Sequence, residues 1–562
     1  MHRRLVAREG LAKSISGDLS QLASTNLLTF QIVSTTDDAR TAARAVIEEC
    51  ARIARQGIDA QALENARQMC KSLRALDRQH ETQRAFSLAS AELVDSMDLE
   101  LDFNDRMDRV TPEDLQRVAR ETLSPRRAIF VQIRPKSAEA AGVIGTQSRT
   151  LPSGVTVVFK KDTSTEVVGV ALYMHGSATN ETKPGLAGLL EELLSEARTS
   201  VEPPEVTQSR LERCGAVLRC GGGGIAGIIP SLNATVYTFD ELLQTLHDIA
   251  VKPRFDEEPF ERVRRKVVDE LKERSDDPEQ QGSWRLWQVF YPKETSGAPA
   301  EVAKSLQACT SGDVKAYHAK VLASRPIVVA VSGNLSAQRV FDRVEQVFAD
   351  VPRPEAAPPQ AVKKPKDETI PPSRVRLETI ETPRPYDTVW VGFKLPASSV
   401  LDIAPMTVWM NLLILADQSM CSVKVREFDP NFEKRIAGMN TLHFGGVLAW
   451  GFRVKSGVGE KVAAWLEEFV ATIPDIEVPS DRAESARRLV LTAFLRRFQD
   501  KVNHSRTLAF MMSLTNDPGF FDRLRELYEK MPDLKRVARQ YFSEAYIVLY
   551  KSTARPTGGS GK

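Results

Sequence analysis

The chain has no surplus of either charge: 76 basic residues stand against 74 acidic ones over 562 positions, a net +2. That balance removes the one-signed field that draws a protein to nucleic acid or to an anionic membrane. Nowhere do about 18 apolar residues run without a charge, so no membrane-spanning helix is expected. The opening segment, MHRRLVAREGLAKSISG, is basic but lacks the apolar core of about 7–15 residues that a secretory leader needs. As it stands the chain reads as cytoplasmic, or as periplasmic if a front portion precedes Met1. Cysteine is scarce, with Cys50, Cys70, Cys214, Cys220, Cys309 and Cys421. Only Cys214 and Cys220 are close, at a spacing that fits no standard zinc site, so buried free thiols are predicted. Seven histidines are present (His2, His80, His175, His247, His318, His443 and His504), and no two are four residues apart. A helix therefore cannot aim two imidazoles at one metal. His175, ending an apolar run, reads as a surface or hydrogen-bonded residue.

Core-forming residues are ample, at 42% hydrophobic, and the length suggests about three to four units. Three stretches repeat one pattern: VTPEDLQRVARETLSPRRAIFVQI (110–133), CTSGDVKAYHAKVLASRPIVVAVSG (309–333) and MPDLKRVARQYFSEAYIVLY (531–550). Each predicts a short amphipathic helix followed by a strand, at 128–133, 326–331 and 546–550. In the first, Thr111 is the expected N-cap, with Pro112 at the first helical position and Asp114 in the first turn. Leu115, Val314 and Leu534 lie 199 and 220 residues apart, too far for a solenoid, so the pattern marks duplicated domains.

The predicted division is an incomplete unit over 1–135, a polar joint over 136–149, a unit over 150–351, a proline-rich linker over 352–374, a unit over 375–555 and a disordered tail over 556–562. Residues 151–162 predict a hairpin turning at Ser153-Gly154, with a strand over 167–176 and a helix over 186–197. In the last unit, strands over 386–396 and 447–457 flank a helix near 403–416. Residues 37–57 place Ala42, Val46 and Ile53 at helical spacing, a core-packing face. The fold class is α+β, with helices packed on one face of a largely antiparallel sheet.

LPSGVTVVFKKD followed by VVGVALYMHGSATNETKPGLAGLLEELLSEART resembles the opening of an M16 (insulinase/pitrilysin-like) metallopeptidase domain. In that family a strand hairpin and a glycine-serine turn lead into a Gly-Leu-Ala-His helix with the inverted zinc motif H-x-x-E-H. Gly185, Leu186 and Ala187 match, while the motif slots hold Gly188, Glu191 and Glu192. Glu270 matches the family's downstream zinc ligand. The half-domains of about 200 residues and the linker fit the same resemblance, as does the first unit in RRLVAREGLAKSIS and GIDAQALENARQ. Family members carry an Arg and a Tyr seven residues apart that hold substrate. Here Arg426 matches the Arg, Glu433 stands in the Tyr slot, and the first unit offers Val6 and Lys13.

The resemblance is to the non-catalytic C-terminal portion of a bacterial tandem M16 protein, with a metal-bearing front portion expected before Met1 or on another chain. Glycine offers no ligand and Glu192 is a poor substitute for imidazole, so no cofactor is expected in this chain. Zinc belongs to the family and to a catalytic partner. Glu191 is then a vestigial base, since a carboxylate activates water here only through a metal. The implied role is to wall a peptide-holding chamber, with an unfolded peptide and a catalytic M16 half-domain or subunit as partners. Three alternatives stay open: an active zinc endopeptidase component, a stand-alone peptide-binding scaffold, and a gene fragment. Glu191, Glu192 and Glu270 could also hold a hard cation, against the plainer reading of a solvated helix face. Gly221–Gly224 lack a Walker lysine and precede a strand, so they read as a flexible turn and not as a phosphate loop.

Overall fold

The computed structural model describes residues 4–5, 9, 11–12, 14–21, 26–34, 38–77, 81–93, 97–123, 128–132, 145–222, 227–356, 374–530 and 533–554. Two compact units result, Met1–Arg134 and Pro135–Lys562.

In the first unit, strands β1 (Ser14–Gln21) and β2 (Asn26–Val33) form an antiparallel hairpin that pairs Ile15 with Ile32 and Gly17 with Phe30. Strand alternation puts Ile15, Phe30 and Ile32 on one face, where they pack with Ala42, Ala45, Val46 and Cys50 of the Ala39–Gln56 helix. Gly57, at φ 71°, ends that helix. The Pro112–Thr122 helix starts as its sequence dictates: Thr111 Oγ1 accepts from the Asp114 N–H, and Asp114 accepts from the Thr111 N–H, both at 3.1 Å. Its Gln116 and Arg120 side chains donate to Arg55 O and Ala54 O, two carbonyls that the first helix leaves open at its end. The strand expected over 128–133 is not formed in the described part of it. Residues 128–132 are not assigned to a strand, and Ile129 and Val131 are 90% and 75% exposed. The two later copies of the pattern each sit between two strands, whereas this unit offers only the β1–β2 hairpin among its described residues.

The second unit contains two sheets. The first has β3 (Gln147–Thr150), β4 (Thr156–Lys161), β5 (Val167–Tyr173), β6 (Leu218–Arg219), β7 (Ser231–Thr235) and β8 (Val328–Gly333), in the order β3-β4-β8-β5-β7-β6. The second has β9 (Arg374–Thr382), β10 (Tyr386–Leu395), β11 (Glu433–Leu442), β12 (Gly445–Lys455) and β13 (Glu544–Ser552), in the order β11-β12-β10-β13-β9. Only β4–β8 and β13–β9 are parallel. Gln147–Arg149, expected in a polar joint, belong to the edge strand β3, where an exposed polar strand is tolerated because only one side is paired. Residues 357–373 of the proline-rich stretch, residue 555 and the predicted tail over 556–562 lie outside the described residues.

The central strands of each sheet, β4, β5 and β8 in the first and β10 and β12 in the second, are buried on both faces, which is why they read as apolar runs without alternation. Val157, Phe159, Val170 and Leu172 pack on helices of their own half through Leu190, Leu246 and Val344. The opposite face, with Val158, Ala171 and Val328, is covered by Leu508, Ala509 and Met512 of the Lys501–Thr515 helix, which comes from the last half. The second sheet mirrors this. Val391, Phe393 and Trp450 face their own helices, while Trp390, Ala449 and Val548 meet Leu286, Trp287 and Phe290 of the Pro278–Phe290 helix from the other half. Glycine makes both crossings close. A side-chain carbon at Gly169 would fall 1.9 Å from Lys501 O, and one at Gly282 would fall 2.0 Å from Trp390. The most apolar helical stretch, residues 397–428, lies in this second core, with 67% of its most apolar window buried.

Candidate functional site

The GLA helix, Leu186–Ser195, is positioned by a carboxylate. Glu181 accepts from the N–H groups of Gly185 and Ala187 at 2.9 and 2.7 Å, and Ser296 Oγ donates to it at 2.9 Å. A negative group at a helix N-terminus answers donors that have no intrahelical partner and suits the local dipole. Burial pushes the Glu181 carboxyl up, against the pull of the two backbone N–H groups. Gly185 sits at φ 95°, and a side-chain carbon there would strike Val302 at 2.6 Å. The helix ends two residues short of Ala197, because Ala197 is left-handed at φ 53° and breaks the α-helical path.

Leu186, Ala187, Leu189, Leu190, Leu193 and Leu194 are buried, which leaves Gly188 and Glu192 on the outer face. That face looks at the Glu257–Ser275 helix. Arg262 Nη2 lies 2.5 Å from Glu196 Oε2, and Lys266 Nζ lies 2.7 Å from Glu192 Oε2. Glu270, four residues beyond Lys266, has Oε1 at 3.9 Å from the same ammonium. Hydrogen bonding to Glu192 holds the Lys266 ammonium above the usual lysine range, with the charges of Glu192 and Glu270 adding to it. Two of the predicted slots, Glu192 and Glu270, thus converge, but on a lysine. At Gly188 a side-chain carbon would meet nothing within 4 Å.

Glu191 goes elsewhere. It is 8% exposed, not part of a solvated face, and its Oε1 would be 3.0 Å from a side-chain carbon at Gly222. Successive helix positions are about 100° apart, so Glu191 turns into the body of the fold where Glu192 turns out. Gly222 is itself pressed against Gly227, whose carbonyl oxygen would stand 1.6 Å from a side-chain carbon. The described part of the glycine run is a close backbone crossing, and residues 223–226 lie outside the described residues. Arg506, from the last half, closes this side by donating to Ile229 O and Ser231 Oγ at 2.8 Å and to Gly221 O at 3.0 Å. Burial lowers its pKa from the usual arginine value, and burial pushes the Cys220 thiol up to about 12.

The remaining candidates are not drawn in. Arg426 is exposed on the Met420–Phe428 helix with its guanidinium 5.7 Å from the Phe432 ring centre, and Glu433 pairs with Arg435 at 2.7 Å. Val6 and Lys13 lie outside the described residues. His175 is half-buried: its ring packs edge-on to Tyr173 at 4.9 Å, and burial lowers its pKa to about 3. Among the described residues no group of three or more His, Cys, Asp or Glu side chains could hold a metal ion. Zinc does not fit the three ligand slots, because Gly188 has no side chain while Glu192 and Glu270 share Lys266. Lys266, Arg262 and Arg506 are charged neighbours of this region that motif matching missed. The i, i+4 spacing of Arg262, Lys266 and Glu270 is the one signal in the sequence that marks a common helix face.

Residues 308–469 match the family described as the Peptidase M16 inactive domain. That span is similar to an M16 inactive domain. The GLA helix lies upstream of that matched span. A protease from Helicobacter pylori shares the fold at TM-score 0.61 and 18% identity, over 72% of this chain and 99% of that one. The M16 inactive domain from Pseudomonas fluorescens gives TM-score 0.62 and 17% identity, over 73% and 100%. A conserved protein from Enterococcus faecalis gives 0.57 and 13%, over 73% and 99%. No curated protein matches the sequence. The expected α+β fold with largely antiparallel sheets is the observed one, but helices cover both faces of each sheet and not one, because each half lends a helix to the other.

Proposed function

We propose that this chain is a non-catalytic M16 component that holds an extended peptide for a zinc-bearing M16 half or subunit. The observation that carries the reading is the state of the motif helix: Gly188 supplies no donor, and Glu192 is paired with Lys266 at 2.7 Å. A peptidase of this class needs a metal-bound water for its glutamate to deprotonate, and Glu191 faces a glycine backbone instead. Peptide capture rests on the edge strand β6, next to the Gly221–Gly222 crossing and the Glu191 side of the sheet. An extended chain adds to such an edge through backbone hydrogen bonds with little demand on sequence.

The test uses purified full chain and a quenched fluorescent peptide library, with metal content measured in the same sample. The expected result is saturable peptide binding without cleavage, and cleavage only when an H-x-x-E-H chain is added. Turnover by the chain alone, abolished by a chelator and by Glu191→Gln, would falsify the reading.

A further inference from the structure

We infer that Lys266 is a built-in surface cation that takes the place of the metal between these two helices and closes the pair to divalent ions. The inference rests on aligning the GLA helix with the family's metal helix, and it goes further by naming what fills the position. Glu196 meets Arg262 and Glu192 meets Lys266, so the helices run antiparallel with each rung one turn apart. Stepping four more residues along each helix brings Gly188 and Glu270 to the next rung. The three slots at which the family places ligands are therefore already neighbours. The fold has kept the geometry, while the residue types have changed.

Lys266 bridges two of the three slots, bonded to Glu192 and 3.9 Å from Glu270. An ammonium there neutralises the carboxylates as a bound cation would, and it repels any second cation entering the same few ångströms. Loss of the histidines is thus only half of the change. Restoring them would leave a positive charge bound to the remaining ligand, Glu270. The open space at Gly188 and the exposure of Glu192 and Lys266 make the position testable without disturbing the core.

The experiment compares Gly188→His/Glu192→His with Gly188→His/Glu192→His/Lys266→Ser in the full chain, using zinc competition against a chromophoric chelator at neutral pH. Circular dichroism and melting confirm that both variants fold. The expected result is at least about tenfold tighter zinc binding when Lys266 is absent, from the Coulomb repulsion removed. Adding Glu270→Gln should abolish the gain. Equal affinities with and without Lys266 overturn the inference. No zinc in either folded variant overturns the alignment of the helix pair with the metal site, and the inference with it. If the histidine variants do not fold, Lys266→Ser alone decides. Magnesium at millimolar concentration should then raise its melting temperature but not that of the wild type, and an identical response in both overturns the inference.

Discussion

Lys266 Nζ lies 2.7 Å from Glu192 Oε2, across the groove between the GLA helix and the Glu257–Ser275 helix. The contact joins two surface side chains, 56% and 40% exposed, so water and salt screen much of its strength. Lys266→Met should cost about 0.5 kcal/mol at low ionic strength and nearly nothing at about 1 M salt. Urea midpoints at the two salt concentrations check this. A salt-independent loss would show that packing of the lysine stem, and not its charge, holds the helices.

The two shared helices should be intolerant of any added carbon at their crossings. Gly169→Ala pushes a methyl into Lys501 O, and Gly282→Ala pushes one into the Trp390 ring. The Lys501 carbonyl is backbone and the Trp390 ring is held in a packed core, so neither can step aside and each variant should lose about 2–3 kcal/mol. Equilibrium unfolding in urea measures the loss. A variant within about 0.5 kcal/mol of the wild type would mean that the crossings are looser than described.

His504 gives the fold a pH dependence of known sign. Burial lowers its pKa from 6.5 to about 4, with Lys501 and Lys160 adding to the fall and Asp162 and Asp522 opposing it. Its Nδ1 meets Ser332 Oγ at 2.9 Å, and the Phe498 and Phe521 rings pack against it. The unfolded chain takes up the proton first as pH falls. The stability held by the neutral ring is therefore complete above about pH 6.5 and is lost on the way down toward pH 4. Between pH 7 and 5 the wild type should lose about 2 kcal/mol more than His504→Gln, as read from urea midpoints. Parallel pH profiles would remove His504 from the account.

Thr111→Ala removes the cap that starts the Pro112–Thr122 helix and should cost that unit about 1 kcal/mol. Amide hydrogen exchange over 112–122 is the measurement. Protection unchanged from the wild type would show that the Gln116 and Arg120 bonds to the neighbouring helix suffice to hold it.

Much of this was legible in the sequence, and for local reasons. The cap at Thr111, the turn at Ser153-Gly154 and the strands 386–395 and 445–455 follow from side-chain and backbone preferences acting over a few residues. The strand over 128–133 was misread because Val, Ile and Phe state a preference for pairing and not whether a partner is within reach. The solvated-face reading of Glu191 fails for a related reason. A polar residue carries no mark of which segment will cover it, and Glu191 is covered at Gly222, distant in sequence.

By itself the sequence determined the type of each half, the loss of the imidazole pair and the glycine at 188, since these depend on residue identity and spacing alone. Only the tertiary structure decided that each half lends a helix to the other's sheet. It also decided that Glu191 turns inward while Glu192 and Glu270 turn toward Lys266. The physical reason is that Glu192 and Lys266 are 74 residues apart in the chain, and their attraction exists only once two helices pack side by side.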